Sequence, residues 1–365
     1  MSQTYAVPAI DAGSASLAAT KRRSAELESL IAADPSRFRV ATGDRPTGPL
    51  HLGHYFGTLA TRVRLQRAGV PLFVLVADYQ VLTDRDTAER LPEYVTGLVA
   101  DYLAAGIDPA AATIFAHSAV PALNQLLLPF LSLVSVPELN RNPTVKDEVS
   151  QSGRRSVSGL MLTYPVHQAA DILFAKANLV PVGQDQLPHL EVARTIARRF
   201  NDRYAGGEEF FPLPEPLLSA APNLLGTDGG KMSKSRANSI ALAATPDETA
   251  RLIRAAKTDA RRDISYEPAS RPEVSSLLLL AALCQGREPA DVAAEISGGA
   301  AELKRVVTDS VNEYLRPVRA RRAELGADPG FLRAVLRAGN TRAAEIASTT
   351  LAQVHALMGM NGYRE

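Results

Sequence analysis

Apolar positions change their period along this 365-residue chain, and the changes divide it into three stretches. Residues 1 to 37 begin small and polar, then take helical spacing from about Ser16 to Ala33, where Asp34-Pro35 stops it. From about 38 to 240, short β-branched runs alternate with helical patterns, which predicts a parallel sheet with crossover helices. Phe38 to Thr42 reads as the first strand, Gly43 to Gly48 as turn material ending it, and Leu72 to Val76 as an apolar second strand. Between them Leu52, Tyr55, Phe56, Leu59 and Val63 recur at helix spacing to about Arg67. Pro137 to Gly159 interrupts the alternation as a polar, Arg-bearing insertion, expected to be mobile. Beyond Ala244 the pattern is helical: Glu248 to Lys257, Glu273 to Gln285, Ala301 to Leu325, and Pro329 to Met358 with breaks, with Thr245 or Asp247 as the first cap. The expected class is α/β, a parallel-sheet domain (38–240) behind an extension (1–37) and ahead of an all-helical domain (241–365).

Composition excludes more than it selects. With 46% hydrophobic and 22% charged residues the chain reads as an ordinary soluble globular protein. No apolar run is long enough to span a membrane, and the N-terminus has no signal or transit pattern, so a cytoplasmic location is expected. The one cysteine, Cys284, is expected to be a buried helix residue and excludes an internal disulfide. A net charge of +1 argues against a nonspecific nucleic-acid binder. Basic residues do gather at Arg316, Arg319, Arg321 and Arg322, at Arg251, Arg254, Lys257, Arg261 and Arg262, and at Arg154 and Arg155. Such groups are more often solvated helix faces than RNA contacts.

Two segments carry chemistry. In the first, a strand, a turn (Arg45, Pro46, Thr47) and a helix follow one another, so free backbone N–H groups and the positive end of the helix dipole face a phosphate site. His51 and His54, three apart, share a helix face there, and Gly53 lets a nucleotide lie against the backbone. Alone, the pair equally fits a helix opening with two surface histidines. Metal binding is weaker still, since neither His-Glu-x-x-His spacing nor a Cys pair is present, and no metal site is assigned. The second segment is Lys231-Met232-Ser233-Lys234-Ser235, preceded by the glycine-rich Gly226 to Gly230 and expected to be a mobile loop. Its lysines suit a pyrophosphate leaving group and its hydroxyls add donors, although an isolated Lys/Ser loop is usually only solvated.

Taken together, His51-Leu52-Gly53-His54 and Lys231 to Ser235 resemble the HIGH and KMSKS motifs of class I aminoacyl-tRNA synthetases. Between them, Tyr164-Pro165-Val166-His167-Gln168-Ala169-Ala170-Asp171-Ile172-Leu173 and Val180-Pro181-Val182-Gly183-Gln184-Asp185-Gln186 look like the tryptophanyl-tRNA synthetase family in particular. The resemblance runs from about residue 38 to the C-terminus. It implies a Rossmann-like catalytic domain, an anticodon-reading helical domain whose last helix returns to the catalytic domain, a homodimer, and tryptophan, ATP with Mg²⁺, and tRNA(Trp) as partners. His51, His54, Lys231 and Lys234 take the catalytic roles. ATP is assigned to Arg45, Pro46, Thr47, Gly53, His54, Gly183, Gln184, Asp185, and Lys231, Met232, Ser233, Lys234 and Ser235, with Asp185 suited to ribose hydroxyls.

For tryptophan the resemblance assigns Asp171, Tyr164, Gln186, Gln168, Gln80 and Val182, with Tyr164 and Gln186 at the α-ammonium. An indole has one polar handle, its N–H, so its pocket needs an apolar slot with one acceptor, and Asp171 beside Ala169 and Ala170 fits. Without the motif, Asp171 reads as a helix N-terminal charge or half of a salt bridge. Ala41 and Gln168 stand where many bacterial members carry a large apolar residue, and Arg45 where Gln is common, which bears on pocket shape. Three other readings fit parts of the pattern. A tyrosine-specific synthetase shares the Gly-x-Asp-Gln turn, a small-molecule nucleotidylyltransferase shares His-x-x-His, and a synthetase-like regulatory protein would have lost catalytic residues.

Overall fold

Five short strands, β1 (Val40–Asp44), β2 (Leu72–Val76), β3 (Ala112–Ala116), β4 (Leu179–Val182) and β5 (Glu215–Leu218), form one parallel sheet ordered β3-β2-β1-β4-β5. The computed structural model describes residues 12–83, 90–143, 145, 158–219, 224–233 and 236–361. β2 is buried along its whole length, as a central strand covered on both faces must be. Strand order reverses between β1 and β4, and there the pairing is least. β1 registers with β2 from Val40↔Leu72 to Asp44↔Val76, but with β4 only at Val40↔Leu179. The two strands part toward their C-terminal ends, where open α/β sheets bind their ligands.

β1 runs two residues further than its turn-like sequence suggests. Gly43 and Asp44 pair with Leu75 and Val76, and the ladder satisfies backbone groups that a turn would leave to water. Any side chain at 43 would meet the Leu75 carbonyl oxygen at 2.6 Å. The predicted helix after it is also divided: Leu52–His54 and Ala60–Arg67 are α-helical, but Tyr55–Leu59 is a wider π turn. At that turn Tyr314, from a helix 259 residues on, donates its hydroxyl to Tyr55 at 3.0 Å.

The described part of the extension packs against the sheet. Its helix, Ala12–Ala33, buries Leu27 and Ile31, and Arg23 grips Glu215 of β5 at 2.6 and 2.8 Å. Ser24 accepts the Leu218 N–H at 3.0 Å, so the helix shields an edge strand. Within the expected insertion, Val136–Arg141 is helical and is tied by Glu138 to Arg199 at 2.5 Å; residues 144 and 146–157 lie outside the described residues.

Downstream come helices Pro246–Ala255, Pro272–Gln285, Pro289–Ala294, Gly299–Gly326 and Pro329–Leu357. Thr245 is the cap of the first, its hydroxyl accepting the Glu248 N–H at 3.2 Å while Glu248 accepts the Thr245 N–H at 2.8 Å. The last helix is unbroken where breaks were expected. Its mid-point lies against β3 so closely that a side chain at Gly339 would sit 1.8 Å from the Ile114 carbonyl oxygen. Asn340 accepts the Ala116 N–H at 3.0 Å, and Thr350 donates to the Phe174 carbonyl at 2.6 Å, so tertiary contact holds the helix through its weak centre.

Cys284 is half-buried rather than buried, and burial pushes its thiol up to about 12. The chain contains no tryptophan, and its aromatic clusters, such as Phe130, Phe200, Phe210 and Phe211, are built from Phe, Tyr and His. Among the described residues no helix is long and apolar enough to cross a membrane. Because Leu27 anchors the first helix on the sheet, Leu27→Ala is expected to cost roughly 2–5 kcal/mol. A denaturant midpoint unchanged from the parent would show that the helix contributes nothing to the domain.

Candidate active site

Backbone pairing brings the two charged motifs together across about half the chain. Leu52 donates to the Ile240 carbonyl at 3.0 Å, Leu242 donates to the Leu50 carbonyl at 2.9 Å, and His51 bridges Ala241 between them. The Gly53 N–H points at the Met232 sulfur at 3.3 Å, and a side chain at Gly53 would press within 3.0 Å of the His51 ring. His51 and His54 pack ring to ring at 3.7 Å. The His51 N–H donates to His54 Nδ1 at 3.3 Å, so Nδ1 accepts there and Nε2 is the donor edge of that ring. Ahead of them the Leu50 N–H donates at 2.8 Å to Asp101, which is fully buried and also takes Arg322 Nε at 2.5 Å.

Residues 224–233 form a turn stapled by hydrogen bonds. Leu225 bridges Lys231, Gly226 donates to the Gly230 carbonyl at 2.7 Å, and buried Asn238 joins three points. Its amide nitrogen donates to Asp228 (2.7 Å) and the Lys231 carbonyl (3.0 Å), and its oxygen accepts the Ser233 N–H at 2.8 Å. Sequence reading picked out the glycines but not Asn238, five to ten residues from the points it joins. Lys231 projects into solvent and meets Asp185 at 3.2 Å; Asp185 also takes Gln186 at 3.3 Å. Lys234 and Ser235 lie outside the described residues. In the first turn Pro46 is buried, Arg45 is exposed, and the Thr47 N–H closes on the Arg45 carbonyl at 2.9 Å.

The helix Gly159–Leu173 carries Tyr164, Gln168 and Asp171 along the crevice. Asp171 lies near the helix C-terminus, so it is not the N-terminal charge that one reading allowed. It is buried, with one oxygen 2.5 Å from His117 Nε2 and the other 3.4 Å from the Gln80 amide nitrogen. Tyr164 Oη is 3.0 Å from His189 Nε2. Burial, moderated by Asp185 and reinforced by Arg45, pushes His189 down to about 4, so the ring is neutral at neutral pH. Val182 is buried at the end of β4, and Gln168 and Gln186 are half-buried.

Sequence reasoning gave no role to His117, Asn124, His167 or His189. His117 follows β3 directly, stacks on His167 at 4.4 Å with planes 19° apart, and with Asp171 brings three metal-ligating groups within 4.8 Å. Both Nε2 atoms are already spent, on Asp171 and on Asn124 (2.7 Å), and nearly parallel rings do not aim their in-plane lone pairs at one ion. The cluster therefore reads as a hydrogen-bond relay. Nothing local marks these histidines; their partners lie 43 and 54 residues away.

Beneath the first turn, Asp44 accepts Arg62 at 2.5 Å and the Tyr102 hydroxyl at 2.8 Å. Burial alone would raise the Asp44 carboxyl, but Arg62, then His54 and Tyr102, hold it down at about 2. Several basic residues singled out for RNA are engaged within the chain. Arg322 is on Asp101, Arg319 on Asn312 and Thr249 (both 2.8 Å), Arg316 on Glu313, Arg261 on Asp263, and Lys257 on Glu273. Arg154 and Arg155 lie outside the described residues.

A parallel sheet parted at its switch point, with the two motifs laced together over it, is the arrangement of a class I aminoacyl-tRNA synthetase, and the chain belongs to the family of class I tRNA synthetases (W and Y), whose profile matches residues 34–316. It is 40% identical to the tryptophan–tRNA ligase of Treponema pallidum (strain Nichols) over 340 residues, 88% of this chain and 97% of that one. The corresponding ligase of Streptococcus pyogenes serotype M1 is 39% identical over 335 residues, covering 88% and 98%. Among solved structures, tryptophanyl-tRNA synthetase from Campylobacter jejuni, complexed with ADP and tryptophan, superposes with a TM-score of 0.74 at 30% identity, covering 88% of this chain and 99% of that one. Within its family, the chain thus groups with the tryptophan–tRNA ligases.

The ordinary carboxyl value is 3.8, so the stability that Asp44 contributes is fully present above about pH 4 and drains as pH falls toward 2. Its size is on the order of 2 kcal/mol. Asp44→Asn is expected to be less stable at neutral pH and flatter in denaturant midpoint between pH 4 and 2; parallel profiles would refute the assignment.

Proposed function

We propose that this chain activates tryptophan with MgATP and transfers it to tRNA(Trp), with its own residues in the following roles. The observation that carries the reading is the lacing of Leu50, His51 and Leu52 to Ile240, Ala241 and Leu242, with Gly53 against Met232 beside Lys231. The tryptophan carboxylate oxygen attacks the α-phosphorus. The bond from that phosphorus to the bridging oxygen breaks, giving tryptophanyl-adenylate and pyrophosphate. No side chain acts as nucleophile, so the chain's contribution is orientation and charge.

Tyr164, held in place by His189, presents its hydroxyl oxygen to the α-ammonium together with Gln186. Asp171 accepts the indole N–H. The ribose lies at Gly183, Gln184 and Asp185, and Lys231 is already 3.2 Å from Asp185, within reach of a nucleotide bound there. His51 and His54 donate to the α-phosphate oxygens, and Lys231 and Lys234 take up the charge growing on pyrophosphate. Magnesium enters with ATP, as part of the substrate. The metal offsets triphosphate charge. Anticodon reading by residues 241–365, a homodimer and a cytoplasmic location belong to the same proposal.

Pyrophosphate exchange across the twenty amino acids is the direct test, with tryptophan alone expected to support it. Activity with tyrosine instead would overturn the specificity. Lys234→Ala is expected to slow adenylate formation more than it weakens tryptophan binding, since the lost charge acts on the triphosphate in the transition state. Asp171→Ala is expected to weaken tryptophan by roughly 10- to 150-fold. It should also abolish the preference over an analogue whose indole nitrogen is sulfur.

A further inference from the structure

The carboxylate at the end of the crevice does not stand alone. One Asp171 oxygen is taken at 2.5 Å by His117, a side chain with no solvent exposure, while the other faces half-buried Gln80 at a long 3.4 Å. Behind His117 the surroundings fix which atoms donate. The Asn124 amide nitrogen donates to the His117 carbonyl at 2.8 Å and the Val120 carbonyl at 3.1 Å. Carbonyls only accept, so the Asn124 oxygen is the atom that faces His167 Nε2 at 2.7 Å, and His167 carries its proton there.

His167 then lies as a nearly parallel plate on His117, with Tyr79 on the same stack, its ring 6.2 Å from His117. Among the described residues, the Nδ1 atoms of both histidines are buried without a hydrogen-bond partner. A buried N–H there would go unsatisfied, so the tautomer that the surroundings favour puts the His117 proton on Nε2, toward Asp171. Ring packing fixes the plane of the imidazole, and Asn124 anchors the turn on which it is mounted.

We infer that His117 is a positioning residue for substrate selection: clamped by His167 and Asn124, it holds one oxygen of Asp171 so that the other meets the indole N–H. The inference rests on the proposed role of Asp171 as the indole acceptor. It assigns specificity to the residue immediately after β3, outside the two motif segments and the helix that bears the acceptor. Rotation of Asp171 is the failure that His117 prevents. A carboxylate free to turn would meet the indole in several poses and would also find Gln80 as an alternative donor.

The test uses the full chain and two ligands, tryptophan and its sulfur analogue, in binding and in pyrophosphate exchange. The protein has no tryptophan, so the fluorescence of the bound indole reports its own binding. His117→Phe keeps the stacked ring and removes the donor. It is expected to raise the Kd and KM for tryptophan by about tenfold or more, with a smaller change in kcat, and to shrink the preference over the sulfur analogue by a similar factor. The KM for ATP stays as in the parent. His117→Gln, which restores a donor, is expected to recover most of the preference. If His117→Phe retains the full preference while Asp171→Ala loses it, His117 is only packing and the inference falls. A folded His117→Gln protein without the preference overturns it too, which keeps the test decisive should the Phe variant not fold. Should Asp171→Ala itself keep the preference, the acceptor is elsewhere, and both the proposed role of Asp171 and the inference built on it are withdrawn.

Discussion

A single buried carboxylate joins the parts of this molecule that must move or hold together. Asp101 has no solvent exposure, yet it receives the Leu50 N–H and the Arg322 guanidinium. It sits in the helix Leu91–Ala105, which packs beside the sheet, and its partners come from the first turn of the site and from the long helix Gly299–Gly326. A buried charge without its partner costs about 3–5 kcal/mol, so neither partner can leave cheaply. The residue immediately before His51 is therefore held by the same atom group that anchors the helical region. Any displacement of that region is felt at the start of the phosphate turn.

The lacing between Leu50–Leu52 and Ile240–Leu242 supplies the second constraint. It is made of backbone hydrogen bonds, so it depends on chain path more than on side-chain identity, and it brings Met232 onto Gly53. The Lys231 side chain projects outside this frame, exposed and paired with Asp185. A rigid floor with a loosely paired lysine above it suits a reaction in which charge must be met where it appears, on the departing pyrophosphate.

Much of this arrangement was legible in the chain because its signals are local. Helical periods, the Thr245 cap and the two motif words all lie within a few residues of one another, and each element they predicted exists. What the sequence hid is non-local. Gly43 and Asp44 look like a turn but extend β1, because Leu75 and Val76 offer a ladder. The last helix survives its glycine because β3 lies against it. The short helix Val136–Arg141 was read as part of a polar insertion, since six residues are too few to display a period. Most instructive are His117 and His167: each looks like an isolated histidine in an apolar run, and only the crossing of β3 with the helix Gly159–Leu173 makes them a pair. Arg322 misled in the opposite direction, since a cluster of arginines reads as a surface until one of them is found on a buried aspartate.

The aromatic clusters of both cores are assembled from Phe, Tyr and His, with no tryptophan anywhere in the chain. For most proteins that would be a matter of composition. For a member of the tryptophan–tRNA ligases it changes how the protein is made. A ribosome translating this chain never pauses for the aminoacyl-tRNA that the family produces. When that product runs short, synthesis of the enzyme can continue on the remaining nineteen amino acids, and supply of the catalyst is uncoupled from scarcity of what it delivers.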